Sequence, residues 1–86
     1  MRLDKFLKVS RLIRRRSVAK SVADEGRCRV NGRPAKPSTL VAVGDRVELD
    51  LPRGSFAIVV RAVRDGVPAA QAADLYDVIS APPADD

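Results

Sequence analysis

The chain has 86 residues, with 16 Lys and Arg against 11 Asp and Glu, a single Cys, no His, and a formal net charge of +5. These numbers fit one domain with a small core, and they exclude a His/Cys metal cluster, an intrachain disulfide and a Ser-His or Cys-His nucleophile pair. The single Cys indicates a reducing cytoplasm, and no apolar run has the length of a signal peptide or a membrane span.

The basic residues are concentrated in the first part of the chain. Residues 1–36 carry twelve basic and three acidic residues, whereas residues 37–86 carry four basic and eight acidic residues. This segregation predicts a polyanionic partner for the first part. The alternative is a solvated surface in an arginine-rich protein, which explains the use of Arg but not its crowding into one region.

The first predicted element is an amphipathic helix over residues 2–13. Its apolar arc, read at about 100° per residue, consists of Leu3, Phe6, Leu7, Ser10 and Ile13. The basic residues of the same segment spread over the remaining surface, so the helix is predicted to be cationic on its outer side. A membrane-surface helix would also show this pattern, but it needs the apolar arc to be exposed.

A second helix is predicted over residues 16–25. Its apolar set is Val18, Ala19, Val22 and Ala23, and Gly26 stands where a left-handed C-terminal cap belongs. Because the two helices are so close in sequence, they are predicted to form a hairpin. The three consecutive arginines at 14–16 then lie at its turn.

After Gly26 the apolar pattern changes from helical to alternating. Cys28 and Val30 are predicted to point inward from a strand, with Cys28 as a small core residue, and Asn31-Gly32 predicts a tight hairpin turn. The remaining predicted segments are turns at 43–45 and 52–54, paired strands at 46–51 and 55–63, a short Ala-rich helix around 69–75, a short strand or loop at 76–79, and a disordered acidic tail at 81–86.

Together these elements predict an α+β fold over a single domain, residues 1–80. The two-helix hairpin is expected to pack on a small, twisted, mostly antiparallel sheet, with a short C-terminal helix beside it.

The sequence offers binding rather than catalysis. Each of the five glycines marks a turn and none opens a helix as a phosphate-cradling loop does, so no enzymatic activity, metal or cofactor is predicted. With three aromatic residues, the chain has little surface for stacking unpaired bases, and its Arg and Lys side chains favour phosphates and folded RNA. Residues 14–22 offer only Ser17 and Ser21 for reading base edges, which disfavours a sequence-specific DNA reader.

The first 49 residues resemble the ribosomal S-four-type RNA-binding domain, also called the αL motif. The resemblance rests on RLDKFL at 2–7, the basic turn at 14–16, the helix ending at Gly26, VNG at 30–32 and VGD at 43–45. The opening MRLDKFLKVSRLI and a late segment at 73–76 further resemble the RqcP family of bacterial ribosome-associated quality-control factors. Related small heat-shock proteins are similar too, but they carry a basic extension where this chain has a short acidic tail.

The sequence predicts a cytoplasmic, monomeric protein that binds no membrane, and the resemblance implies what it binds. Its implied partners are the RNA of the large ribosomal subunit, the peptidyl-tRNA, and a factor that adds C-terminal alanine tails to stalled chains. The alternatives are a heat-shock-type factor that recycles large subunits, and a basic regulatory module that docks another structured RNA or an acidic protein. A domain detached from an RNA-modifying enzyme would need a catalytic partner chain.

The resemblance also implies which residues contact RNA. They are the basic residues of the two helices, their turn and the hairpin: Arg2, Lys5, Lys8, Arg11, Arg14, Arg15, Arg16, Lys20, Arg27, Arg29 and Arg33. Asp4 falls in the same motif, either to orient Arg2 or as an acidic residue favoured at a helix N-terminus. Arg15 stands where related domains often carry a Ser or Thr cap.

Overall fold

The computed structural model describes residues 1–52 and 54–80. Its helices are α1 (Leu3–Val9), α2 (Arg16–Asp24) and a 3₁₀ helix (Ala69–Leu75), and its strands are β1 (Cys28–Val30), β2 (Arg33–Pro34), β3 (Arg46–Leu51), β4 (Gly54–Val60) and β5 (Tyr76–Ser80). The strands form one antiparallel sheet in the order β2-β1-β3-β4-β5, so the predicted α+β class is confirmed. The predicted tail at 81–86, and Arg53 within the predicted turn at 52–54, lie outside the described residues.

One apolar cluster joins the helices to the sheet. Alternate residues of the three central strands enter it: Cys28, Val47, Leu49, Ile58 and Val60. The α1 arc meets them through Leu3, Phe6 and Leu7, each fully buried. The apolar arc of the first helix is therefore covered by the protein's own core. A membrane-surface helix needs this arc exposed, so that alternative does not fit the fold.

Helix α1 is shorter than the predicted 2–13 segment. It ends at Val9, and Arg11 adopts a left-handed conformation with φ 64° that reverses the chain. Ile13 still reaches the core, because its N–H donates to the carbonyl of Leu7 at 3.0 Å and holds the loop over the helix end. The apolar spacing that predicted a helix through residue 13 therefore identified Ile13 as buried, although residues 10–13 are not helical.

Helix α2 ends as the sequence predicts. Gly26 has φ +77°, its N–H donates to the Ala23 carbonyl at 3.0 Å, and the Arg27 N–H donates to the Val22 carbonyl at 3.1 Å. This pair of bonds is the Schellman motif. The apolar set was wrong at one position, since Val18 is 46% exposed and lies outside the core.

The Asn31-Gly32 turn is confirmed as a two-residue hairpin turn with both φ angles positive. The Asn31 side chain fastens it to the neighbouring loop: its Nδ2 donates to Asp45 Oδ1 at 3.1 Å, and its Oδ1 accepts from the Arg46 N–H at 2.9 Å. The motifs VNG and VGD thus meet through their side chains.

The structure corrects the end of one predicted strand and decides between the two alternatives for another segment. Strand β4 pairs with β3 as predicted but ends at Val60 rather than 63, because β3 begins opposite Val59 and offers no partner beyond it. The Arg61 N–H donates instead to the Leu75 carbonyl at 2.8 Å. The segment at 76–79, predicted as a strand or a loop, belongs to β5 and pairs with β4.

Candidate RNA-binding face

Asp4 is the buried centre of the basic surface. Its side chain is 4% exposed and lies between the N-terminal residues of α1 and α2. The Arg2 guanidinium donates to both carboxylate oxygens at 3.2 Å, and Arg16 Nη2 donates to Oδ1 at 3.4 Å. The Lys5 backbone N–H also donates to Oδ1, at 2.8 Å. One carboxylate thus joins two arginines from different helices.

These contacts keep Asp4 ionised. Burial raises the pKa of the Asp4 carboxyl, but the hydrogen bonds from Arg16, the Lys5 backbone and Arg2 together outweigh burial and hold the pKa below its ordinary value. The carboxylate is therefore a fixed negative charge at neutral pH. Asp4 bonds to Arg2 and also to Arg16, and it lies in the first turn of α1, so both roles that the sequence suggests for it fit this geometry.

The two clamped guanidinium groups remain accessible. The side chains of Arg2 and Arg16 are 47% and 46% exposed. A guanidinium carries five N–H donors, and Asp4 occupies at most two of them on each arginine. The remaining donors face solvent in a restricted orientation, which suits the bidentate recognition of phosphate.

Along α1 the basic residues differ in their pairing. Lys5 Nζ lies 2.6 Å from Asp65 Oδ2, in the loop before the 3₁₀ helix, and this contact lowers the pKa of the Asp65 carboxyl. Lys8 is exposed and lies in the last turn of α1, beyond Asp4 and Lys5. Within residues 1–52 and 54–80 it forms no salt bridge, so it is a solvated cation.

The turn and the first part of α2 extend the basic surface. Arg11, Arg14, Arg15 and Lys20 are all exposed. Lys20 follows Arg16 by four residues and therefore lies on the same side of α2. Arg15 occupies the N-cap position and makes no side-chain cap, as the sequence predicts for an arginine there.

The hairpin arginines lie in different surroundings. Arg29 donates to both carboxylate oxygens of Asp50, at 3.0 and 3.1 Å, on β3. Arg27 lies 3.9 Å from a Glu25 oxygen, and Arg33 is exposed on β2. Arg29 is thus engaged within the sheet and is not joined to the Asp4 cluster.

Other reactive groups lie apart from this surface. Cys28 is buried in the core, which raises the pKa of its thiol to about 11, so it stays protonated and unreactive at neutral pH. Among the residues that the structure describes, no cluster of three or more His, Cys, Asp or Glu could hold a metal ion. Over the same residues, no helix is long and apolar enough to cross a membrane.

A separate groove of about 570 Å³ lies beside α2, away from Arg16 and Lys20. Its apolar walls include Leu12, Val18 and Leu51, and Glu25 and Arg27 lie at its polar margin. The sequence did not predict this groove, because Val18 was grouped with the buried apolar residues of α2 by its spacing alone.

Comparison with known proteins decides the family. Residues 1–47 match the S4 domain family. The chain is 49% identical over 80 residues to the RQC P-site tRNA stabilizing factor of Streptococcus pneumoniae, and 44% identical over 79 residues to that of Bacillus subtilis. These alignments cover 93% and 92% of this chain and 91% and 92% of the two relatives.

The chain is an S4 domain protein of the RQC P-site tRNA stabilizing factor family. Its S4 fold is also that of the trimeric Heat Shock Protein 15 from Vibrio cholerae, with a TM-score of 0.85 and 31% sequence identity. That likeness covers 93% of this chain and 82% of the other. The resemblances seen in the sequence are thereby confirmed, with the heat-shock protein as the more distant relative.

Proposed function

We propose that this S4 domain protein binds the large ribosomal subunit and its peptidyl-tRNA during the quality control of stalled nascent chains. In this role it steadies the tRNA while a partner factor adds a C-terminal alanine tail. It acts in the cytoplasm as a monomer and as a binding factor without catalysis. The observation that carries the proposal is the buried Asp4 that holds Arg2 and Arg16 together at the surface.

The electrostatics support an RNA ligand over an acidic protein. The exposed cations on α1, the turn and α2 outnumber the carboxylates near them, and Asp4 is directed inward at its arginines. Fork-shaped donors in a fixed orientation match phosphate oxygens, and several such contacts make affinity fall steeply with salt. The names of the relatives supply the ribosomal setting.

A second candidate is the recycling of large subunits after heat shock. The observation that favours it is the fold shared with Heat Shock Protein 15. Identity is lower there, at 31% against 49% and 44% for the two tRNA stabilizing factors. The two roles differ in outcome: a quality-control factor is required for alanine tails on stalled chains, whereas a recycling factor is not.

Sedimentation of the tagged protein in native lysate tests the proposal. The wild type should co-migrate with large subunits at low salt and be lost as salt rises, and crosslinking in the same fractions should recover ribosomal RNA and peptidyl-tRNA. Recovery of the wild type at the top of the gradient, free of RNA, would contradict the proposed function.

Two variants with the same change in charge locate the contact surface. Arg16→Glu should abolish co-migration, whereas Arg61→Glu should retain it, because Arg61 pairs with Asp77 on β5 and Arg16 pairs with Asp4. Both side chains are exposed, but Arg16→Glu also places a second carboxylate beside Asp4, so circular dichroism is measured on both variants to check that they are folded. Equal loss in the two variants would mean that net charge, not this surface, governs binding.

A further inference from the structure

The turn at residues 36–39 is fixed by its own hydrogen bonds. The Lys36 N–H donates to Thr39 Oγ1 at 2.9 Å, and the Thr39 N–H donates to the Lys36 carbonyl at 3.0 Å. The residues on either side of Lys36 are buried, namely Ala35 and Pro37, whereas Lys36 is exposed. The backbone therefore directs Lys36 outward from an anchored position.

The same turn is bonded to the start of α1. The Leu3 N–H donates to the Thr39 carbonyl at 2.7 Å, and the Asp4 N–H donates to the Pro37 carbonyl at 3.1 Å. Arg2 also forms a β-bridge with Leu40. Lys36 thus directly precedes Pro37, whose carbonyl accepts the Asp4 N–H. The Asp4 side chain in turn holds Arg2 and Arg16.

Lys36 differs from the nearby cations in its pairing. Arg2 and Arg16 share the Asp4 carboxylate, and Lys5 pairs with Asp65. Across the described parts of the chain, 1–52 and 54–80, Lys36 takes part in no salt bridge. An ammonium group without a carboxylate partner is available to an external anion without breaking an internal contact.

We propose that the turn at 36–39 is a third part of the RNA-binding face, and that Lys36 binds a backbone phosphate of the RNA held by Arg2 and Arg16. Neither the motif at the start of the chain nor the basic turn at 14–16 includes this residue. The inference rests on the proposed function, because it concerns the same RNA. The lysine supplies a point charge beside two oriented guanidinium groups, so it strengthens binding without reading a base.

Titration of purified bacterial large ribosomal subunits with fluorescently labelled protein tests this inference. Lys36→Gln should weaken binding roughly five-fold at low salt, as expected for the loss of one charged contact to phosphate. The slope of log affinity against log salt should become shallower by about 0.7 to 0.9, the effect of one fewer phosphate contact. Lys36→Arg should restore most of the affinity and the slope.

The matched control is Arg61→Gln, which makes the same change in net charge near the end of the sheet. It should leave both the affinity and the slope close to those of the wild type. If the wild type does not bind large subunits, the proposed function fails. If the wild type binds while Lys36→Gln and Arg61→Gln have equal affinities and slopes, the role of Lys36 alone is overturned.

Thr39→Val separates the charge from the turn that presents it. This variant keeps the Lys36 ammonium but removes the Oγ1 acceptor that closes the turn. We expect a smaller loss of affinity, about two-fold, with the wild-type salt slope. A loss in Thr39→Val as large as in Lys36→Gln, with the same change in slope, would mean that the turn rather than the ammonium makes the contact.

Discussion

Arg16 Nη2 lies 3.4 Å from Asp4 Oδ1, across the junction between the first two helices. The same carboxylate accepts two hydrogen bonds from Arg2, so a buried acidic residue holds two basic residues at the surface. A cationic surface built in this way has fixed donors rather than freely rotating side chains. The carboxylate lowers the local positive charge. It also restricts the two arginine side chains before binding, so they lose less conformational entropy when RNA binds.

Replacement of Asp4 by Asn separates net charge from geometry. Asp4→Asn raises the net charge by one, so electrostatics alone predicts tighter RNA binding. We expect weaker binding, by roughly three- to ten-fold, because Arg2 and Arg16 lose their ionised acceptor. Asp24→Asn, an exposed change on α2, is the control and should bind at least as tightly as the wild type. Tighter binding by Asp4→Asn would contradict the clamp.

Stability should depend on pH through the same carboxylate. Its folded-state pKa lies below the ordinary value of 3.8, so its stabilising contribution is complete above that value and disappears as pH falls through the folded pKa. Asp50 and Asp65 also have lowered pKa values, from Arg29 and Lys5 respectively. Urea unfolding should therefore give a free energy that is constant above about pH 5 and falls mainly as the pH drops below about 4. Asp4→Asn should flatten this dependence, and an unchanged pH profile would exclude Asp4 as a source.

Removal of the Asp65 carboxylate should strengthen RNA binding. Asp65 pairs with Lys5 at 2.6 Å, and this pair competes with any phosphate that Lys5 contacts. Asp65→Asn should raise the affinity for large subunits roughly two- to five-fold at low salt, with a smaller gain as salt rises. Asp74→Asn changes the charge equally on the exposed surface of the 3₁₀ helix and serves as the control. Equal gains in both variants would show that only net charge matters.

Arg29 should contribute less to RNA binding than Arg16, although both fall among the sequence-predicted contacts. Its guanidinium already makes two hydrogen bonds to Asp50 on the sheet. Arg29→Ala should weaken binding less than Arg16→Ala at the same salt, and it should cost less than about 1 kcal/mol of unfolding free energy. Titration of large subunits with both variants checks the order. A reversed order would place the hairpin at the centre of the face.

Gly26 should be required for the end of α2. Its φ of +77° is strained for residues with a Cβ, and nothing lies within 4 Å of the place that a Cβ would occupy. Gly26→Ala should therefore cost about 1 kcal/mol of unfolding free energy through conformation alone. Gly26→Asn should cost less, because Asn tolerates the left-handed region. Urea unfolding that gives equal, unchanged stabilities would contradict the Schellman cap.

Local patterns determined much of the architecture from the sequence alone. The apolar spacing of Leu3, Phe6 and Leu7 identified the buried side of α1, and Gly26 and Asn31-Gly32 identified a helix end and a hairpin turn. These features depend on neighbours within a few residues, where side-chain period and backbone preference act directly. The segregation of basic residues likewise indicated a polyanionic partner before any contact was known.

Tertiary structure alone decided which charges are paired. Asp4 joins Arg16, Lys5 joins Asp65, and Arg29 joins Asp50, across separations that no local pattern records. It also ended α1 at Val9, after which the chain reverses at Arg11 and bonds back to the helix end. It ended β4 at Val60, after which Arg61 bonds to Leu75. The physical reason is that an ion pair or a strand partner depends on what the folded chain brings within a few ångströms. The sequence therefore determined that this surface is basic, and the fold decided which of its cations are free to bind.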